Sequence, residues 1–223
     1  MPELKKIIAD LIDFFKPNIQ TTNVEELIFL PTNPLYAKNA GRNFSAFTGE
    51  QIIISHVENT MNQEHEFLHG IINPIVKKLF SILNEQQKQK ISDLASGSLK
   101  QLYKEHNHFS ILCEELIKTY NEVVERGIKP QTYEDFLATI TSVDETYFQS
   151  ALKNPYFKSK CEELGIKTKQ DFLDKSREYY QRFQNNPLRE IIFELYQEYS
   201  RRQNQETENF ESFLLKNLPE KIN

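Results

Sequence analysis

Glycine is scarce. Six glycines in 223 residues leave few positions for tight turns, so long helices are expected in preference to a turn-rich β architecture. Cysteine is scarcer still: Cys113 and Cys161 form no closely spaced ligand pair and no disulfide framework, and one bridge or two buried thiols both remain open. No run of eighteen apolar residues occurs, so no segment reads as a transmembrane helix. The start, MPELKKIIADLIDFF, is amphipathic and broken by Asp10 and Asp13, unlike a signal peptide. There is also no dense block of Lys and Arg. With a net charge of -5 and cations spread thinly, the chain lacks the positive footprint that phosphate contacts need, which argues against a nucleic-acid partner.

What is present suits a packed globular protein. Apolar residues make up 39%, including sixteen Phe and ten Tyr, while 26% charged residues and a mean hydropathy of -0.59 suit a soluble surface. This length can bury one good core, or two small ones, without a metal or disulfide. No internal repeat is present, and the only biased tract is the polar spacer Gln203-Asn204-Gln205-Glu206.

Apolar periodicity organises the chain. Leu4, Ile7, Ile8, Leu11, Ile12 and Phe15 share one face of a helix that Pro17 ends. The segment NFSAFTGEQIIISH, residues 43–56, is the best strand or hairpin candidate, with Thr48-Gly49 as its turn. A helix is expected from about Thr60 to Ile72. Asn73-Pro74 then stops it and starts another, since Pro disfavours helix in the preceding residue while Asn caps well. Further helices are expected near 85–103, 107–126, 132–152, 155–164, 168–185, 187–203 and 207–217, punctuated by Gly127, Pro130, Pro155, Gly165 and Pro187.

The chemistry lies in Gln63-Glu64-His65-Glu66-Phe67-Leu68-His69-Gly70. His65 and His69 are one turn apart and project from one helix face, as two ligands of a single zinc ion would, and Glu66 sits where it can act as general base on a zinc-activated water. The motif HExxH is short and needs context. It lies on a helical pattern, a strand candidate at Glu50–Ser55 stands upstream to hold an extended peptide by its edge, and all five histidines (His56, His65, His69, His106, His108) fall between residues 56 and 108. A third ligand must come from farther on, because Ile75 and Val76 occupy the place where a metzincin carries its third histidine. In FSILCEELIKTYNEVVERG, Glu114 and Glu115 flank the apolar face nearly symmetrically, and helical geometry does not choose between them. Tyr103, His106, His108 and Tyr120 are candidate donors to a transition-state oxyanion.

HEFLHGIINPIV, followed about forty residues later by EELIK, resembles the gluzincin type of zinc metallopeptidase. It is especially similar to a bacterial family of unknown function that carries HEF-x-H, an Asn-Pro and a later helix with Glu-x-Leu-Val-Arg. The likeness spans residues from about 1 to 126. It implies Zn2+ held by His65, His69 and Glu114, with Glu66 as general base, hydrolysis of a peptide or protein substrate, and possible export from the cytoplasm. One departure stands out. Many gluzincins place an aspartate four residues after the glutamate ligand to orient a histidine, and here that place holds Lys118, which cannot accept an imidazole proton.

The expected fold is α+β and predominantly helical: zincin-like, with a small antiparallel sheet near residues 25–56. Residues 1–130 would form the metal-binding half and 131–223 a helical half forming the other wall of the cleft. Two rivals remain. Glu66-x-x-His69 and Glu105-x-x-His108 are the ligand pairs of a di-iron helical bundle, and the aromatic helices after residue 130 suit an inactive helical interaction module.

Overall fold

The computed structural model describes residues 2–16, 26–29, 45–47, 52–55, 60–103, 107–203 and 208–223; for the strands and for residues 2–5, 7, 60–63, 66 and 203 the description covers the backbone alone. Helix α1 (Pro2–Phe15) precedes three short strands, β1 (Glu26–Phe29), β2 (Ser45–Phe47) and β3 (Ile52–Ser55). Then come α2 (Thr60–Ile82), α3 (Glu85–Leu94), α4 (Gly97–Tyr103) and α5 (His108–Thr119), the last continuing as a π-helical turn over Tyr120–Glu125. The rest of the chain is α6 (Tyr133–Thr141), α7 (Glu145–Ala151), α8 (Pro155–Glu163), α9 (Lys169–Tyr179) with a π turn at Tyr180–Gln184, α10 (Pro187–Gln203) and α11 (Phe210–Lys221).

The expectation of a zincin-like α+β fold with an antiparallel sheet is overturned. Apart from Lys16 after α1 and the terminal Ile222 and Asn223, every residue with a described side chain lies in a helix or a connection between helices. The strands pair in the order β1-β3-β2, with β1 parallel to β3 and β2 antiparallel to it, so the sheet is mixed. Because β3 is central, its backbone is engaged on both sides, Ile54 facing Ile28 and Ala46 at once. The edge that was to hold a substrate near Ile52–Ser55 is therefore occupied by the protein's own strands.

One apolar cluster unites helices from both ends of the chain. Leu11 and Phe15 of α1, Leu68, Ile72, Val76 and Leu79 of α2, Leu112 and Leu116 of α5, Ile192 and Tyr196 of α10, and Phe210 and Leu214 of α11 are buried together. At its centre the rings of Phe15, Tyr120, Tyr196 and Phe210 meet at centroid distances from 4.9 to 6.4 Å. The Tyr199 hydroxyl donates to the Phe14 carbonyl, tying α10 to α1. Ile12, assigned by periodicity to the buried face, is instead exposed. A satellite cluster of Phe148, Cys161 and Ile166, packed by Phe157 and Phe172, serves α7 to α9.

Local chemistry explains most element boundaries. Asn84, Thr132, Asp144, Asn154, Thr168 and Asn209 each accept a backbone N–H of the helix they open, and Pro155 occupies the first turn of α8. The Asp144 cap splits the segment expected as one helix over 132–152, and Ser96, accepting from the Leu99 amide, splits 85–103. Asn73-Pro74, by contrast, interrupts nothing: α2 runs from Thr60 to Ile82 with Pro74 inside it. Phe67, Leu68, Ile71, Ile72, Ile75, Val76 and Leu79 form one buried stripe across the proline. A break would take half of that stripe out of the core, which outweighs the roughly 3 kcal/mol that an interior proline costs.

Gly97 opens α4 where the backbone of the second π turn crosses it. A Cβ there would lie 1.8 Å from the Arg182 carbonyl oxygen, and Ser98 Oγ donates to the neighbouring Phe183 carbonyl at 2.9 Å. Gly97→Ala is expected to destabilise the protein by about 1–3 kcal/mol through this overlap. The check is a lower urea midpoint at unchanged m value; wild-type stability would show that α4 can shift away without loss.

Candidate metal centre

Helices α2 and α5 run antiparallel. Phe80 meets Phe109 at 5.7 Å between ring centroids at one end, and the two histidines meet Glu114 further along. Antiparallel packing of two apolar stripes places the helix flanks side by side, and His65, His69 and Glu114 lie on those flanks.

His65 Nε2 lies 3.7 Å from Glu114 Oε2, and His69 Nε2 lies 3.3 Å from Glu114 Oε1. The imidazoles stand edge to face with centroids 5.0 Å apart. One ligand atom from each of the three residues falls within 4.8 Å of the others. These spacings suit a metal. Two ligands about 2.0–2.1 Å from a tetrahedral zinc sit about 3.3 Å from each other, whereas a charge-assisted N–H···O bond closes to about 2.7–2.9 Å. Two imidazole nitrogens and one carboxylate oxygen are also a donor set that zinc accepts while keeping a position for substrate.

Burial alone would raise the Glu114 carboxyl, yet the hydrogen bonds and charge of His65 and His69 outweigh it and hold this group well below the usual carboxylate range. Glu114 is therefore a carboxylate at neutral pH, as a ligand must be. Lys118, one turn on, lies 3.8 Å from Glu114 Oε2.

The choice between Glu114 and Glu115 is made by a helix far away in sequence. The Glu115 side chain is 0% exposed and faces the start of α10, accepting from Arg189 Nε and, at 2.8 Å, from Nδ2 of Asn186 just before that helix. Arg189 also donates to Glu122 at 3.0 Å. Periodicity could not find this pairing, since the partners stand 74 residues apart.

Several of the remaining sequence candidates lie outside the described residues. Glu66 follows His65 on α2, and its side chain lies outside the described residues, as do His56, Glu105 and His106. His108 Nδ1 is 2.7 Å from Ser92 Oγ, a contact between α5 and α3. Tyr120 is buried among Phe14, Phe15 and Tyr196, and its phenol is pushed up by burial and then by Glu64, Glu125 and Asp10, so it belongs to the core. Tyr103 packs on the same cluster. Cys113 and Cys161 are both free and buried, and burial pushes the Cys113 thiol up, so neither is a reactive thiolate. Among the described residues no helix is long and apolar enough to cross a membrane.

Glu64, unremarked in the sequence, is 4% exposed beside the first ligand. Burial, reinforced by Glu125 and opposed by Arg126, raises its carboxyl from an ordinary 4.5 to about 7. The folded state thus binds this proton more tightly than the unfolded chain. The contribution of Glu64 to stability is full below pH 4.5, falls as pH rises between 4.5 and about 7, and stays level above. With chelator present, Glu64→Gln should remove that decline and gain on the order of 2–3 kcal/mol at pH 8. Urea midpoints that fall with pH just as in wild type would refute the assignment.

Arg189→Met should cost about 3–5 kcal/mol, because it leaves the Glu115 charge buried without its partner. Adding Glu115→Leu should recover most of the loss; a double variant as unstable as Arg189→Met alone would mean that packing, not charge, is what Arg189 supplies. In comparisons with known proteins, no family model, curated protein or solved structure matches this chain.

Proposed function

We propose that the chain is a zinc-dependent hydrolase of peptide bonds, with His65, His69 and Glu114 as metal ligands and Glu66 as general base. The observation that carries this reading is the convergence of His65, His69 and Glu114, with one ligand atom of each within 4.8 Å of the others, a spacing that one ion can bridge. The HExxH spacing and the gluzincin resemblance add support, and both concern the site, not the fold: the scaffold is helical, and the mixed sheet offers β3 no open edge.

The division of labour follows from the residue types. Zinc, when bound, supplies Lewis acidity toward a carbonyl oxygen and makes water more acidic. His65 and His69 donate neutral nitrogens from consecutive turns of α2, and Glu114 supplies the one anionic ligand. Glu66, on the same turn as His65, takes a proton from the attacking water on a carboxylate oxygen and returns it to the leaving amine. His65 is the most open ligand, 26% exposed against 14% for His69 and 12% for Glu114, so substrate approaches from its side.

The test separates binding from chemistry. Elemental analysis of the purified protein should give one zinc per chain, lost in His69→Ala and Glu114→Gln. Glu66→Gln should keep the zinc while hydrolysis of a fluorogenic peptide library falls by about 10²–10⁴-fold. Wild-type protein that takes up no zinc would end the proposal, and full activity in Glu66→Gln would remove Glu66 from its role.

A further inference from the structure

Asn73 is an unusual residue to find inside α2. It precedes a proline, which disfavours helical backbone, and its short amide competes with helix hydrogen bonds. Its side chain is nevertheless well used. Asn73 Oδ1 lies 3.1 Å from Nδ1 of His69, one turn earlier on the same helix, in a partly buried contact.

An amide oxygen only accepts, so this contact calls for hydrogen on Nδ1 of His69. The neutral ring then carries its lone pair on Nε2, the atom that lies 3.3 Å from Glu114 Oε1. A metal ligand needs that tautomer and that ring direction. Lys118 offers no acceptor, and its ammonium lies against Glu114 instead.

We propose that Asn73 is the positioning residue of the metal centre: by accepting from Nδ1 it fixes the tautomer and orientation with which His69 ligates through Nε2. This rests on the metal-site reading above. The amide does so without adding a further negative charge beside Glu114, so Glu114 stays the one anionic ligand. It also gives Asn73-Pro74 a purpose other than capping. The helix has to continue through the proline, because only an unbroken turn puts Asn73 four residues from His69 on the same face.

Two measurements test the proposal. Long-range ¹H–¹⁵N spectra of wild-type protein at alkaline pH, with chelator present, report the His69 tautomer without any metal. The hydrogen is expected on Nδ1, and a ring protonated on Nε2 would overturn the proposal even if no variant folded. Zinc affinity, read by competition with a chromophoric chelator, should fall about 10–100-fold in Asn73→Ala and return in Asn73→Asp, which keeps an acceptor oxygen. Unchanged affinity in Asn73→Ala, or equal loss in both variants, would reject the role. Wild type without stoichiometric zinc would instead reject the metal-site reading, while the tautomer measurement still decides what Asn73 does to His69.

Discussion

A carboxylate with no exposure must be neutralised or it unfolds the region around it, and Glu115 is that carboxylate. Arg189 and Asn186 on the far side of the core satisfy it, and in doing so they fix the rotation of α5 about its axis. Successive residues of a helix diverge by about 100°. With Glu115 drawn toward α10, Glu114 points to the opposite flank, where α2 presents His65 and His69. The Tyr196 hydroxyl, donating to the Leu116 carbonyl at 3.1 Å, holds the same stretch of α5 from the same helix. A buried ion pair is weak evidence for stability, but here it has a geometric consequence, because it sets the register on which the triad depends.

The second constraint is the continuity of α2. Two histidines four residues apart share a face only while the helix holds, and the apolar stripe that secures it extends beyond Pro74 to Leu79. Pro74 has no amide hydrogen to offer the Gly70 carbonyl, so the helix gives up a bond just past the motif. The burial of Ile75, Val76 and Leu79 makes good that loss. The site therefore stands on two elements of the main cluster, which is where precise ligand geometry is easiest to keep.

Much of this was legible in the sequence, for identifiable reasons. The extent of α1, the caps and prolines that open α8 and α10, and the shared face of His65 and His69 depend on neighbours within one turn. Glu114 and Glu115 were not separable, because both flank one stripe and what distinguishes them is Arg189 on another helix. Asn73-Pro74 reads as a boundary because local preference carries no information about the core that overrides it. The strands failed differently: a run such as Ile52-Ile53-Ile54 signals burial but not whether a strand is central or at an edge, and the parallel partner Glu26–Phe29 is distant in sequence. Asn73 as an acceptor for His69 is within reach of the sequence, since the two are four residues apart on a helical pattern that continues through Pro74.

Among the described side chains, Glu64, Glu114 and Glu115 reach charge balance by three routes, and the differences bear on chemistry. Glu115 is paired with a guanidinium, Glu64 holds a proton near neutrality through burial, and Glu114 remains ionised against two imidazoles. Only the last leaves a negative charge available to a cation. Under the proposed assignment, one carboxylate ligand would compensate half the charge of a dication, and Lys118 adds positive charge 3.8 Å from Glu114. A centre with that surplus would favour negative charge developing on a substrate oxygen, as the proposed attack on an amide carbonyl requires. A second carboxylate in place of Asn73 would reduce the surplus, so a neutral acceptor is the better partner for His69.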